Sequence, residues 1–210
     1  VAPIQPSKQG RTRVVDFDVP QAVVQFAEPG IPRADPDFFP AYLVNYVLGG
    51  GGFSARLMEE VREKRGLVYG IGTDLWTFDA GGLIAGQFQT DPGKVAEAIE
   101  IVRTEWRRMA SEGPTQQELD DAKTYLLGYY PRNFTNTMGT AQLLRGLQTE
   151  GLGIDYVTRR QKEIAAVTID DAKRAAQRLF LADALTFVVV GPADQIQLPG
   201  AEVVKAPASN

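Results

Sequence analysis

The chain has 210 residues, a formal net charge of −4, and neither histidine nor cysteine. The two missing residue types exclude an imidazole general base, a Ser-His or Cys-His nucleophile pair, a disulfide, and a zinc site of thiolate or imidazole ligands within this sequence. The acidic balance argues against a nucleic-acid partner, which requires a basic face. No apolar run approaches the about 20 residues of a transmembrane helix.

The composition is that of an ordinary globular protein, with 44% apolar and 23% charged residues. Residues 13–192 are predicted to form a single domain. The flanking segments 1–12 and 193–210 show no sustained period and are predicted to be a loose N-terminal segment and a C-terminal tail. Because the chain begins with Val1 rather than Met, we expect a processed form or a piece of a longer protein.

The first half of the chain is predicted to contain both strands and helices. The predicted elements are strands at 14–19 and 22–27, helices at 38–48 and from 54 to about 65, and a hairpin with strands at 68–78 and 83–90. Asp35-Pro36 opens the first helix, since proline is favoured at the first helical position. Ser54 is predicted to cap the second helix, and Gly66 to end it.

The second half is predicted to be mainly helical. Three helix starts are predicted from capping patterns, at Asp91-Pro92, Thr115…Glu118 and Thr168…Asp171. Helices are also predicted at 138–150 and 154–164. The last element is a continuous apolar run at 185–190, which is typical of a strand buried on both faces. The order of elements indicates an α+β fold, with an antiparallel or mixed sheet and helices packed on one face.

The first candidate site is a glycine run and the two residues after it, namely Gly49, Gly50, Gly51, Gly52, Phe53 and Ser54. Consecutive glycines cost backbone entropy, so a tight turn alone would rarely require all of them. A loop whose backbone must approach another backbone closely would require them, and the helix start after it suits an anion. No Lys-Ser or Lys-Thr pair follows, so the run is not a P-loop. A flexible connector between two helices is the alternative.

The second candidate site is the pair Arg62 and Tyr69. The two residues are separated by a helix end and by the turn at Gly66, so their side chains could converge. A guanidinium group and a phenolic hydroxyl are hydrogen-bond donors suited to binding a carbonyl oxygen or an oxyanion. The structural alternative is equally simple: a cation near a helix C-terminus complements the dipole, and tyrosine is common at a strand start.

The stretch from Leu48 through the glycine run to Leu57, continued from Glu60 to Tyr69, resembles the pitrilysin-like zinc peptidases. That family includes insulin-degrading enzyme and mitochondrial processing peptidase. The resemblance extends over most of the chain, from about Asp16 to Pro192. It implies a sheet of about six strands backed by helices, in a half-domain that occurs in pairs within a clamshell.

In this family one half carries an inverted zinc motif, H-x-x-E-H, with a later glutamate as third ligand, and the other half contributes an arginine and a tyrosine. The lack of histidine implies that this chain is the half without zinc, so no position is assigned as a metal ligand. Arg62 and Tyr69 match the arginine and the tyrosine. The run Gly49 to Gly52 matches the segment that contacts substrate in the family. The resemblance implies that the chain binds no cofactor and that zinc lies in the partner half.

We therefore expect the non-zinc half of a zinc peptidase, inactive alone, that forms a dimer with a zinc-bearing half and helps to bind an extended peptide. One alternative is a catalytically silent scaffold subunit of a membrane-associated assembly. Another is an unrelated peptide-binding α+β domain. The family suggests a location in the bacterial periplasm or cell envelope, with the cytoplasm as the alternative.

Overall fold

The computed structural model describes Ser7, residues 9–78 and residues 80–206. Its strands are β1 (Thr12–Asp16), β2 (Ala22–Pro29), β3 (Val68–Phe78), β4 (Gly81–Thr90), β5 (Thr186–Gly191) and β6 (Glu202–Lys205). They form one six-stranded sheet in the order β3-β4-β2-β5-β1-β6. β3 is therefore one edge of the sheet, and β6 is the other.

The sheet is mixed, as the sequence predicted. β1 runs parallel to both of its neighbours, β5 and β6. The pairs β3–β4, β4–β2 and β2–β5 are antiparallel. The predicted hairpin is formed by β3 and β4, with Phe78 opposite Gly81 beside its turn.

Six α-helices lie in the described part of the chain: α1 (Phe38–Asn45), α2 (Val95–Glu112), α3 (Gln116–Tyr129), α4 (Thr137–Thr149), α5 (Tyr156–Ala166) and α6 (Ile169–Leu179). Two π-helical segments, Tyr46–Gly50 and Met58–Glu63, lie between α1 and β3. Within the described ranges, no helix is long and apolar enough to cross a membrane. The predicted α+β fold is confirmed.

The three capping patterns predicted in the second half of the chain are also confirmed. The Thr115 hydroxyl accepts from the Glu118 N–H, and the Glu118 carboxylate accepts from the Thr115 N–H at 2.7 Å. Thr168 and Asp171 form the same reciprocal pair at the start of α6. Asp91 accepts from the N–H of Gly93, in the short 3-10 turn that leads into α2. Each cap satisfies a backbone donor that the helix itself leaves unpaired.

One face of the sheet is buried under the helices. Phe26 of β2 stacks with Phe187 of β5 and meets Trp106 of α2 edge-on, with ring centroids 5.6 Å and 5.7 Å apart. Glu28, two residues along β2 from Phe26, lies in the same layer and is only 2% exposed. Its carboxylate accepts from Trp106 Nε1 at 2.6 Å and from the Leu181 N–H at 2.8 Å. Burial raises the pKa of Glu28 to about 8, although both hydrogen bonds act to lower it.

The other face of the sheet is open, which corrects the prediction for the apolar run at 185–190. Phe187 and Val189 of β5 are fully buried, whereas Thr186 is exposed and Val188 is 37% exposed. The strand is therefore buried on one face only, because successive side chains point to opposite faces. An apolar run does not reveal this difference when the exposed positions are themselves apolar.

Two further local predictions are wrong. The Ser54 hydroxyl donates to the Gly51 carbonyl at 2.9 Å instead of capping the following helix. The C-terminal segment contains a short strand, β6, whose Glu202 forms a 2.8 Å salt bridge with Arg13 of β1. A strand of four residues is too short to show a period in the sequence. Of the ends predicted to be loose, residues 1–6, 8 and 207–210 lie outside the described residues. The division into segments at 12 and 193 stays a prediction.

Candidate functional site

The glycine run lies directly against the edge strand β3. α1 continues into the π-helical turn, in which the Gly51 N–H donates to the Tyr46 carbonyl at 2.8 Å. A Cβ atom on Gly49 would lie 2.4 Å from Thr73 Oγ1 and 2.8 Å from Thr73 Cγ2. A Cβ atom on Gly50 would lie 3.3 Å from the Thr73 carbonyl oxygen. Close approach of backbone to strand therefore explains the first two glycines.

The other two glycines have different reasons. A Cβ atom on Gly51 would lie 2.9 Å from the Tyr46 carbonyl oxygen, inside the turn itself. Gly52 has open space around it, but its φ of +59° lies in the left-handed region. Phe53 follows this reversal and is 72% exposed. The run thus sets the position of one exposed aromatic ring.

A buried pair of polar side chains attaches the turn to β3. Thr73 Oγ1 donates to Asn45 Oδ1 at 2.8 Å, and Asn45 Nδ2 donates to the Thr73 carbonyl at 3.3 Å. Both residues are almost fully buried. Because β3 is an edge strand, the Asn45 amide satisfies a carbonyl that has no neighbouring strand. The pair holds the end of α1 in register with the middle of β3.

The chain reversal at Gly66 brings Tyr69 back beside Arg62. The Gly66 N–H donates to the Arg62 carbonyl at 2.8 Å, and the Leu67 N–H donates to the Val61 carbonyl at 3.1 Å. Gly66 has a φ of +60°. A left-handed glycine whose N–H donates to the carbonyl four residues earlier is the αL motif, which ends many helices. Val61 and Leu67 are both buried in the core, so their side chains hold the turn against the rest of the domain.

Arg62 lies between two aromatic rings. Its Cζ atom is 4.8 Å from the ring centroid of Phe53 and 5.5 Å from that of Tyr69. Tyr69 is 90% exposed, so its hydroxyl faces solvent. Arg62 Nη1 donates to Glu63 Oε1 at 2.8 Å, which leaves its other N–H groups without a partner among the described side chains. Such contacts between a guanidinium and aromatic faces stabilise the positions of all three side chains.

A groove of about 860 Å³ runs over the open face of the sheet beside this cluster. It is lined by β3, β4, β2 and β5, and by the glycine turn at Gly49, Gly50 and Gly52. Tyr69 lies in its wall, whereas Arg62 and Phe53 do not line it. An irregularity in the pairing of β3, between Val68 and Ile71, lies at the Tyr69 end of the strand. The Tyr69 side chain therefore lies beside an open and largely uncharged surface of the sheet.

The segment that follows the glycine run is held by an ion pair at its first helical turn. Arg56 Nε and Nη2 donate to the two oxygens of Glu118 at 2.6 Å and 2.7 Å, and Nη2 also donates to the Gly113 carbonyl at 3.0 Å. Burial would raise the pKa of Glu118, but the hydrogen bonds from Arg56 and Thr115 outweigh it and lower that pKa to about 2. The first helical turn after the glycine run is thus attached to the start of α3.

The described residues do not fit a metal site. Nowhere in the described ranges do three His, Cys, Asp or Glu side chains lie close enough together to hold an ion. The chain as a whole has no histidine and no cysteine, the side chains that zinc prefers.

Comparison with known proteins identifies the family. The family model described as the Peptidase M16 inactive domain matches residues 1–126. The chain belongs to the peptidase M16 family. An uncharacterized zinc protease of Streptomyces coelicolor is 32% identical over 87% of the chain, and a non-peptidase homologue of Helicobacter pylori is 35% identical over 59% of it. The pitrilysin-like, inactive half-domain expected from the sequence is confirmed.

Solved structures agree with this membership. The peptidase M16 inactive domain of Pseudomonas fluorescens superimposes with a TM-score of 0.80 at 30% identity, over 92% of the chain and 44% of that protein. The chain spans 39% of the Streptomyces coelicolor relative and 29% of the Helicobacter pylori relative. This chain is therefore somewhat less than half the length of the longer relatives that it matches along most of its own length.

In this M16 domain, the predicted site residues form two neighbouring groups. Arg62, Tyr69 and Phe53 meet in one cluster. The glycine turn lines the groove through three of its four glycines, and Gly51 and Ser54 turn inward to their own loop. Sequence reasoning missed the groove residues on the strands. The signal for them was the alternation in the last part of 68–78, where Asp74, Trp76 and Phe78 are exposed.

Proposed function

We propose that this chain is the non-zinc half of an M16 peptidase and supplies a peptide-binding surface and the donors Arg62 and Tyr69 to a catalytic centre in a zinc-bearing partner half. The observation that carries the proposal is the position of Arg62 between Phe53 and Tyr69, at one end of the groove. In this proposal the guanidinium and the exposed hydroxyl act on a site outside this chain, because no three metal-binding side chains lie close together among the described residues.

In this proposal Tyr69 donates its O–H to the carbonyl oxygen of the scissile peptide as negative charge develops there. A donor of this kind contributes about 2.7–4 kcal/mol to the transition state in comparable sites. Arg62 donates to a neighbouring peptide carbonyl, and its stacking on the Tyr69 ring orients the hydroxyl. Zinc held by the partner half supplies an activated water, which this chain does not provide.

The peptide is proposed to lie extended beside β3, held mainly through its main chain. The glycine turn suits this role because a chain without side chains can approach another backbone closely. Gly49, Gly50 and Gly52 line the groove at the end where Tyr69 lies. A periplasmic or cell-envelope location is part of the proposal.

Separating and recombining the two halves tests the proposed function. The chain alone is expected to contain no stoichiometric zinc and to cleave no peptide, whereas the two halves together are expected to turn over an extended peptide. Cleavage by the chain alone would contradict the proposal. A zinc-bearing half whose turnover is the same with and without this chain would also contradict it and would indicate a scaffold.

A further inference from the structure

We propose that Asp74 and Trp76 form a subsite in the groove for a basic side chain, lysine or arginine, of the bound peptide. This inference rests on the proposed function, since it names the class of peptide that the open sheet face binds. It concerns a surface distinct from the Arg62–Tyr69 cluster, farther along β3.

The two side chains project from the same face of the edge strand. Asp74 and Trp76 are two residues apart on β3, and both line the groove. Asp74 is exposed and Trp76 is 52% exposed. Side chains two residues apart on a strand are separated by about 7 Å. A single cation can therefore contact the carboxylate and lie within about 6 Å of the indole ring at the same time.

Among the described residues that line the groove, Asp74 is the only Asp, Glu, Lys or Arg. Its partner across β4 is Ala85, and that of Trp76 is Leu83. The remaining polar lining is neutral, with three glutamines and two threonines, Gln25, Gln87, Gln89, Thr73 and Thr186. One negative charge on an otherwise neutral surface gives the groove a preference for a cationic side chain over an anionic one.

Asp74 is available for a ligand. Among the described residues it has no salt-bridge partner, although most cations near the candidate site do have one. Arg62, the cation of the proposed site, is paired with Glu63 and does not line the groove. A basic side chain that enters the groove thus meets an unpaired carboxylate, and no described residue of the lining is positively charged.

The spacing along β3 also predicts how far the basic residue of the peptide lies from the scissile bond. Tyr69 and Asp74 are five residues apart, which corresponds to about 16 Å along a strand. An extended peptide has the same rise per residue, so the basic side chain is expected about four to six residues from the scissile bond. The irregularity between Val68 and Ile71 shortens this distance slightly.

Tryptophan fluorescence gives a direct readout of the subsite. The chain has two tryptophans, of which Trp106 is completely buried and Trp76 is half exposed on the groove. Three matched peptides are titrated into the chain, identical neutral decapeptides carrying lysine, norleucine or glutamate at one central position. Trp76→Phe removes the reporting ring and identifies the signal. Asp74→Asn removes only the charge, and Glu97→Gln removes an exposed carboxylate from helix α2 as the matched control.

The lysine peptide is expected to bind about tenfold more tightly than the norleucine peptide, and the glutamate peptide to bind least. Asp74→Asn is expected to bring the lysine and norleucine affinities within about twofold, and Glu97→Gln to leave them unchanged. Equal affinities for the three peptides in the wild type would overturn the subsite, and so would a lysine preference that persists in Asp74→Asn. The absence of any Trp76 response to all three peptides would overturn it as well.

A second experiment maps cleavage sites with the recombined halves. Peptides with a single lysine moved along the sequence are expected to be cut at a constant distance of about four to six residues from it. Cleavage sites that do not follow the lysine would overturn the subsite while leaving the proposed function intact. Conversely, a Tyr69→Phe variant with unchanged turnover would contradict the proposed function. The lysine preference of the chain alone would still be measurable in that case.

Discussion

The guanidinium of Arg62 lies over the ring of Tyr69, with its Cζ atom 5.5 Å from the ring centroid. The two residues are brought together by one helix end, in which Gly66 adopts a left-handed conformation. Phe53 covers the guanidinium at 4.8 Å and is itself placed by the glycine run. The two candidate sites of the sequence are thus parts of one arrangement, in which loop, helix end and strand start meet.

Arg62→Lys is predicted to lower kcat/KM of the recombined halves about tenfold or more, although the positive charge is retained. The planar guanidinium can face both aromatic rings and still donate from its edge, whereas an ammonium group cannot. The measurement is steady-state cleavage of an extended peptide. Arg107→Lys, which makes the same change in an exposed residue of α2, serves as control. Equal losses in the two variants would show that the stacked geometry is not used.

The glycine run makes a prediction about stability. Gly49→Ala places a methyl group within 2.4 Å of Thr73 Oγ1 and is predicted to lower the free energy of unfolding by about 1–3 kcal/mol. Gly52→Ala meets no atom, but its positive φ costs about 1 kcal/mol. Gly128→Ala is the control, since Gly128 lies in α3 with open space around it. This variant is predicted to raise the free energy of unfolding by about 0.5–1 kcal/mol. Denaturant unfolding measures all three. A Gly49→Ala variant as stable as the wild type would contradict the close contact with β3.

These positions illustrate what the sequence could predict. The capping boxes at Thr115 and Thr168 and the hairpin were predictable because each depends on a few neighbouring residues. The convergence of Arg62 and Tyr69 was predictable as a possibility, since Gly66 is a strong signal for a helix end. The contact of Phe53 with Arg62 was not, because it depends on how the glycine turn packs against Thr73.

The exposure of one side of strand β5 could not be predicted from the sequence. Val188 and Thr186 alternate with Phe187 and Val189, yet an apolar residue at an exposed position hides the alternation. Strand β6 is specified by its pairing with β1, about 190 residues away in the chain, rather than by a local pattern. The resemblance to the peptidase family supplied the fold that these long-range contacts build.

The buried carboxyl of Glu28 predicts how stability changes with pH. Burial raises its pKa from the ordinary 4.5 to about 8, so between these values the folded protein binds a proton that the unfolded chain does not. Its contribution is fully present below pH 4.5 and is lost as the pH rises through about 8. The free energy of unfolding is therefore predicted to fall with rising pH over this window, by up to about 1.4 kcal/mol per pH unit.

Urea unfolding of the wild type and Glu28→Gln across this window separates the carboxyl from all other groups. The amide does not titrate, so the variant is predicted to show a shallower decrease of stability with pH. Its absolute stability is predicted to be lower, because an amide cannot accept at both of its ends from Trp106 and Leu181. Parallel pH dependences in the two proteins would mean that Glu28 is ionised throughout.

The most direct test of the central claim is the turnover of the Tyr69→Phe variant in the recombined halves. Phenylalanine keeps the ring beside Arg62 and removes only the hydroxyl, so the fold is expected to be unchanged by circular dichroism. The proposed function predicts that kcat falls about 100- to 1,000-fold with little change in KM. Tyr129→Phe, at a half-exposed tyrosine of α3, is the control and is predicted to retain full activity. A kcat of Tyr69→Phe equal to that of the wild type would contradict the role of this half in catalysis.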